Sequence, residues 1–297
     1  GLSGMIGCTI FFQANQLSQI VREYFYNSAR LFQSNMLVGD LFTGIMVATL
    51  VSMVIFGGIK RIAMVASKMV PIMVGIYLIA AVIVILKNIQ VVPSIFYLII
   101  KDAFSGNAVA GGAIGTMISI GVRRGLFSNE AGSGTETMAH GAAKTNEPVR
   151  EGLVAMLGPL IDTIIVCSIT ALVILLSGVY EQDLNGVSMT VVAFENELGI
   201  FGKILIMIAV ITFSLSTMFG YSYYGRKCTS YLFGTKWKAY YNIFYVLMIV
   251  LASTISIDIA INFMDSAFAL MVIPTMIGTI LLSPKVLAEG KKYFAKI

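Results

Sequence analysis

Arg123-Arg124-Gly125-Leu126-Phe127-Ser128-Asn129-Glu130-Ala131-Gly132-Ser133-Gly134-Thr135-Glu136-Thr137 sets charges, amides, hydroxyls and glycines between two otherwise apolar segments. A continuous helix does not favour this run. In hydrocarbon every backbone N–H and C=O needs a partner, so such an interruption is tolerated only where protein buries it or where it lines a polar cavity. The stretch therefore predicts a helix broken over 127–134 at membrane depth, with Gly132 and Gly134 letting backbone approach a ligand. A glycine kink between packed helices is the alternative, and the row Ser128, Asn129, Glu130 favours the polar cavity.

Composition fixes the class around that run. Hydrophobic residues make up 58% of the 297 residues and charged residues 12%, about half the charged share of a soluble domain, and the mean hydropathy is +0.89. The chain reads as an integral membrane protein. A helix needs roughly 20 apolar residues to cross the bilayer, and 36–56, 62–86, 149–176, 200–224 and 257–282 meet that need. Three further segments, 4–25, 111–144 and the shorter 240–253, bring the expected total to eight. These runs are too long for barrel strands of about 10 residues and lack their alternation, so the fold class is all-α.

Other classes fit poorly. Cys8, Cys167 and Cys228 have no metal or disulfide spacing and read as small core residues. An enzyme would want a nucleophile with its base, or metal ligands, whereas there is one His and no carboxylate pair on a helix face. A channel would want charge rings or carbonyl filters, against one asymmetric broken helix. The chain starts at Gly1 with no signal-peptide pattern, so further N-terminal sequence is expected.

The net charge of +5 does not point to nucleic acid, because the cations sort by loop. Lys60, Arg61 and Lys68, then Lys144 and Arg150, then Arg226, Lys227, Lys236 and Lys238, then Lys285, Lys291, Lys292 and Lys296 fall on one side of an eight-pass chain. The other side carries Asp102, Glu181, Asp183, Glu195, Glu197 and Asp258 with few cations. By the positive-inside rule the basic side, and with it the C-terminus, is expected in the cytoplasm of a plasma-membrane protein. Gly57-Gly58 suits a left-handed C-cap, with Lys60-Arg61 placed as cations complementing a helix C-terminus. Segment 94–104 reads as an amphipathic helix on the outer surface, and 185–199 as a second outer element.

Within the spans, Ser214, Ser216 and Thr217 gather hydroxyls, and Tyr221 follows Thr217 by one turn on its face. Such hydroxyls often bond back to the preceding turn. Gln13, Asn15 and Gln16 are polar on the first helix, where interhelical hydrogen bonds are worth about 0.6 kcal/mol each. Glu130, Arg123 and Arg124 are ionisable groups in a membrane segment and so candidates for function. A fold-back pair or network clamping the unwound turn is favoured over a proton relay. Asp162 and Asp265 read as carboxylates in search of partners, and His140 as packed or solvated rather than a ligand.

The run from Gly111-Gly112-Ala-Ile-Gly through Gly121-Val-Arg-Arg-Gly-Leu-Phe-Ser-Asn-Glu-Ala-Gly-Ser-Gly, then Pro148-Val-Arg-Glu-Gly-Leu-Val-Ala-Met-Leu and Ile161-Asp-Thr-Ile-Ile-Val-Cys-Ser-Ile-Thr-Ala-Leu, resembles the alanine or glycine:cation symporter family. Phe12-Gln-Ala-Asn-Gln, Gly57-Gly-Ile-Lys-Arg-Ile-Ala, Phe213-Ser-Leu-Ser-Thr-Met-Phe-Gly-Tyr-Ser-Tyr-Tyr-Gly and Tyr231-Leu-Phe-Gly carry the same likeness to both ends of the chain. The resemblance implies a LeuT-type helix bundle of two inverted repeats. On that reading residues 1–86 end the first repeat, 107–297 form the second, and the first helices are lacking, so the chain is the C-terminal portion of a longer carrier.

The resemblance also implies a site. Phe127 would form an aromatic wall over the substrate, core packing being its plainer reading, while Ser128, Asn129 and Gly132 line the break and Gln13 reaches the substrate. The Phe213 carbonyl, Ser216 and Thr217 would bind Na+, oxygen ligands suited to a hard cation, with Thr217 and Tyr221 also touching substrate. Family members commonly have Trp at the position of Tyr221. The expected function is a secondary active symporter, not an enzyme. It couples Na+ influx to uptake of a small neutral amino acid, alanine or glycine, in contact with membrane lipid, with no cofactor beyond the coupling ion and no nucleic acid. An H+-coupled carrier using Glu130 is the alternative, ahead of an ion channel.

Overall fold

A computed structural model of the chain describes residues 1–8, 10–26, 32, 35–103, 113–130 and 132–296. Among these residues every regular element is helical. In chain order they are α1 (Leu2–Gly7), α2 (Phe11–Ile20) running on into a π turn (Val21–Tyr26), α3 (Met36–Ile55), α4 (Gly58–Lys87) and α5 (Val92–Ala103). There follow α6 (Ala113–Asn129), α7 (Thr135–His140), α8 (Pro148–Leu176) with a π-helical stretch at Leu160–Cys167, α9 (Val187–Phe233), α10 (Lys238–Thr254) and α11 (Ile257–Phe294).

Five of these helices, α3, α4, α8, α9 and α11, are long and apolar enough to cross a bilayer. The chain is thus an all-helical, multi-pass membrane protein. The other three expected segments differ in form. Segment 4–25 is no single rod: α1 ends at Gly7, and Ile10 at φ −96, ψ 48 precedes α2. Segment 111–144 begins outside the described residues and is broken further on. Helix α10 has 17 residues, just under the length that spans hydrocarbon untilted.

Two boundaries shift with consequences for charge. Gly58 adopts the left-handed conformation expected of a C-cap (φ 73), and the Gly57 N–H bonds the Val54 carbonyl at 3.1 Å. Helix α4 begins in that same turn, however, so Lys60 and Arg61 do not complement a helix C-terminus. They occupy the first turn of α4, which holds no acidic residue, at the pole of the helix dipole that disfavours cations. Helix α9 runs on to Phe233, which makes Arg226, Lys227 and Cys228 helical rather than loop residues. Its Gly199 (φ 65, ψ −153) kinks the chain between the expected outer element and the span that follows.

The chain falls into two compact units, one made of Gly1–Ala103 with Ile169–Met264, the other of Phe104–Ser168 with Asp265–Ile297. In the first, α10 lies along α3 and α2, and α9 packs on α4, α1 and α2. Small residues allow the close approaches: a Cβ at Gly44 would lie 2.2 Å from Ser253 Oγ, and one at Gly225 only 1.8 Å from the Tyr241 hydroxyl oxygen. Tyr245 is fully buried, and its hydroxyl donates to the Met218 carbonyl at 2.6 Å. Polar side chains on α2 act as interhelical glue. Asn15 Nδ2 donates to the Ile255 carbonyl at 2.6 Å, Gln16 Oε1 accepts the Val187 N–H at 2.9 Å, and Ser18 and Arg22 both bond the buried Asp40. On α4, Ile72 and Ile79 are each 64% exposed, an outward apolar stripe that suits lipid rather than water.

Gly225→Ala should lower the thermal unfolding midpoint in detergent by an amount equivalent to about 1–3 kcal/mol, because the new methyl overpacks the α9–α10 contact. Gly75→Ala, with nothing within 4 Å of its Cβ, should not lower it.

Candidate functional site

The interruption lies in the second unit and is narrower than 127–134. Helix α6 keeps Phe127, Ser128 and Asn129 as its last turn, correcting their expected place inside the break. The chain then turns at Glu130 (φ 55), Gly132 (φ 80) and Gly134 (φ 89) before α7; Ala131 lies outside the described residues. Glycine enters this left-handed region freely, and a non-glycine residue there is uncommon.

Much of the polar backbone freed by the turn is met locally. Ser133 is buried, its N–H bonds the Glu130 carbonyl at 3.1 Å, and its hydroxyl donates to the same carbonyl at 2.6 Å. The Ser133 and Thr135 hydroxyl oxygens are 2.7 Å apart. From α11, the Thr275 hydroxyl donates to the Ser133 carbonyl at 3.2 Å. Added Cβ atoms at Gly132 and Gly134 would meet Met276 Sδ at 3.2 Å and Thr275 Oγ1 at 3.0 Å. The turn is thus seated on α11 with little space beside its glycines.

Helix α8 supplies the next set of partners from its π-helical stretch. Pro159, which has no N–H to donate, immediately precedes the stretch, and π insertions recur at functional sites. Asp162 Oδ2 accepts a hydrogen bond from Ser128 Oγ at 2.6 Å, and Asn129 Nδ2 donates to Thr163 Oγ1 at 3.1 Å. Asp162 thus finds its expected partner in a side-chain hydroxyl. Thr163 escaped the sequence reading; a hydroxyl beside Asp162, just after Gly158-Pro159, was the signal for it. The Phe127 ring packs edge-on against Phe268 at 5.2 Å between centroids.

The charged residues resolve differently from expectation. Arg124 Nη2 lies 2.5 Å from Asp265 Oδ2, so the arginine ties α6 to α11 instead of folding back on Glu130. His140 Nδ1 sits 2.7 Å from Glu151 Oε1, packed as expected. Among the described residues no group of His, Cys, Asp and Glu has metal-binding geometry.

The remaining expected site residues lie in the first unit. On α9, the Ser216 and Thr217 hydroxyls donate to the Phe213 carbonyl at 2.9 and 3.0 Å, so the three expected cation ligands share one turn. Thr49, Ser222 and Thr229 make the same back-bonds; the geometry is ordinary for helical hydroxyls and leaves each oxygen lone pairs to offer. Tyr221 is buried, its ring 5.7 Å from that of Tyr224. Gln13 stands apart from its neighbours Asn15 and Gln16: its Oε1 is buried with no hydrogen-bond partner among the described residues.

Over residues 2–297 the chain matches the description of the sodium:alanine symporter family. The chain belongs to that family. Its members are transporters, which agrees with the multi-pass helical fold. This symporter-family chain is 40% identical over 264 residues to the sodium/alanine symporter AgcS of Methanococcus maripaludis, covering 88% of the chain and 58% of that protein. It is 34% identical over 252 residues to the probable sodium/glutamine symporter GlnT of Bacillus subtilis, covering 84% and 53%. It is 37% identical over 210 residues to a sodium/proton-dependent alanine carrier protein of Bacillus sp. strain PS3, covering 66% and 47%. The chain thus spans about half the length of the relatives it matches.

Gly134→Ala and Gly178→Ala both place a methyl on a left-handed residue, which costs about 1–2 kcal/mol, but only Gly134 has a neighbour, Thr275, within 4 Å of the added atom. Thermal unfolding of the full-length transporter should show Gly134→Ala as the more destabilising of the two. Equal midpoints would contradict a turn packed on α11.

Proposed function

We propose that this chain is the later part of a Na+-coupled symporter for a small neutral amino acid, alanine or glycine, working by alternating access. The observation that carries the proposal is the left-handed turn at 130–134, inside an apolar chain of a sodium:alanine symporter family. A zwitterion and a desolvated cation both need concentrated dipoles, and broken helices offer them. In this reading the fold is of the LeuT type, with 1–86 closing a first inverted repeat and 107–297 forming the second, about eight spans in all.

The roles follow from chemistry. Ser128, Asn129 and Gly132 line the substrate site at the break, held by Asp162 and Thr163, and Phe127 walls it. Thr217 and Tyr221 face the substrate from α9. The Phe213 carbonyl, Ser216 and Thr217 supply hard oxygen ligands to Na+. Gln13 contributes an acceptor suited to the substrate ammonium: a buried amide oxygen left without a partner costs stability, and a ligand donor would recover it. The C-terminus lies in the cytoplasm of a plasma-membrane protein, a placement supported by the meeting of two basic segments, at Gly58 and at Arg226, in one cavity.

One observation favours a second reading, coupling to H+ through Glu130: the relative from Bacillus sp. strain PS3 is named a sodium/proton-dependent alanine carrier. Uptake of labelled alanine by the full-length protein in proteoliposomes separates the two. An imposed Na+ gradient should drive accumulation at constant pH; accumulation under a pH gradient without Na+, and none with Na+, would overturn the proposal.

Thr217→Ala should raise the Na+ and the alanine concentrations for half-maximal uptake together, by about tenfold, the loss expected for one hydrogen bond to a charged group. Gln13→Leu should reduce uptake while leaving the unfolding midpoint unchanged or raised, because it removes an unpartnered buried acceptor. A lowered midpoint with normal uptake would make Gln13 structural.

A further inference from the structure

The first turn of α4, the end of α9 and the start of α10 border a half-open cavity of about 390 Å³ lined by Gly58, Ile59, Tyr223, Arg226, Lys227 and Lys238. Three of those six residues are cations. Among the described residues none of the three forms an ion pair with a carboxylate. Arg226 Cζ and Lys227 Nζ lie 5.8 and 5.5 Å from the centroid of the Tyr223 ring, contacts that hold both heads at the wall by cation–π attraction. The helix pole adds to the same field. Helix α4 starts here with no side-chain cap and no acidic residue in its first turn, and carries Lys60 and Arg61 instead. Its 30 residues present a positive dipole end and unpaired N–H groups to a region already rich in cations. Such a concentration is self-repelling unless an anion sits within it.

We propose that this cavity binds the phosphate of an anionic phospholipid headgroup. The chemistry is that of a phosphate oxyanion taken by guanidinium, ammonium and helix N–H donors. Three features favour a lipid as its source over free phosphate. The cavity lies where α3, α4, α9 and α10 end or begin, the depth at which headgroups lie. The exposed aromatic residues Tyr231, Phe233, Trp237 and Tyr240 lie in the chain between the lining residues Lys227 and Lys238 or just beyond them, the residue types of the interfacial belts of membrane proteins. Ile59 in the wall, the exposed Met53 on the last turn of α3 and the exposed Phe56 just after it offer an apolar track to acyl chains, from which an inorganic ion gains nothing. Basic pockets between membrane helices take acidic headgroups in this way. The site is separate from the transported solute and does not depend on its identity.

The test is the thermal unfolding midpoint of the full-length transporter in detergent, titrated in turn with phosphatidylglycerol, phosphatidylcholine and inorganic phosphate. A ligand that binds only the folded state raises the midpoint. Phosphatidylglycerol should raise it and the other two should not. Each of Arg226→Gln, Lys227→Gln and Lys238→Gln should weaken the apparent lipid affinity by about fivefold, the worth of one cation near an anionic surface. The combined variant should abolish the shift, and the single Arg226→Gln serves if the combined one fails to fold. Replacing Lys285, Lys291 and Lys292 of the tail with Gln removes the same charge elsewhere and should leave the shift intact. An equal rise with phosphatidylcholine, an equal loss in the tail variant, or a rise with inorganic phosphate alone would each overturn the assignment.

Discussion

Every backbone amide that enters the hydrocarbon layer must find a hydrogen-bond partner, and the consequences of that constraint organise this chain. Where α6 stops at Asn129, regular pairing stops with it. The Ser133 hydroxyl takes the Glu130 carbonyl, and Thr275 of α11 takes the Ser133 carbonyl. Residues with short polar side chains are needed because only they reach back to a main chain that has left the helix. The turn is therefore both a gap in the helix and a packed object, and its glycines sit close against α11 because a methyl there would meet Thr275 or Met276.

The same constraint explains the polar neighbours. Ser128 and Asn129, the last side chains of α6, need partners of their own and find Asp162 and Thr163 on the π-helical part of α8. A π insertion rotates the residues beyond it relative to an ordinary helix, so the stretch after Pro159 decides which side chains face the break. Arg124, bonded to Asp265, ties α6 to α11 one turn before these contacts. Transport by such a turn would require it to exchange these internal partners for those of a solute, and hydroxyl and amide groups make that exchange readily since both their old and new bonds are neutral or singly charged.

Composition and pattern made much of this legible. Long apolar runs read as membrane helices and a row of glycine, amide and hydroxyl residues as an interruption, so class, helicity and the neighbourhood of the break followed from single residues, while its first residue fell three later than expected. Boundaries and partners did not. The start of α4 was hidden because Gly58 closes one helix and opens the next within one turn, which reversed the electrostatic meaning of Lys60 and Arg61. The π stretch in α8 and the gap between α1 and α2 leave no period in the sequence. Thr163 was passed over because its partner, Asn129, lies 34 residues away. Residues on α9 illustrate the converse: Phe213, Ser216 and Thr217 are brought together by helix periodicity alone, so the proposal that they ligate a cation draws on family likeness more than on geometry. Gln13 is different, since nothing in its own sequence context sets it apart from Asn15 and Gln16, and only the packed structure singles out its oxygen as unpartnered.

Amide hydrogen exchange of the full-length transporter, followed on the segment from Phe127 to Thr137, tests the central claim most directly. If the turn at 130–134 lines the solute site, exchange there should slow when alanine and Na+ are present together and much less with either alone. Identical exchange under all of these conditions, with alanine binding still measurable, would contradict the account.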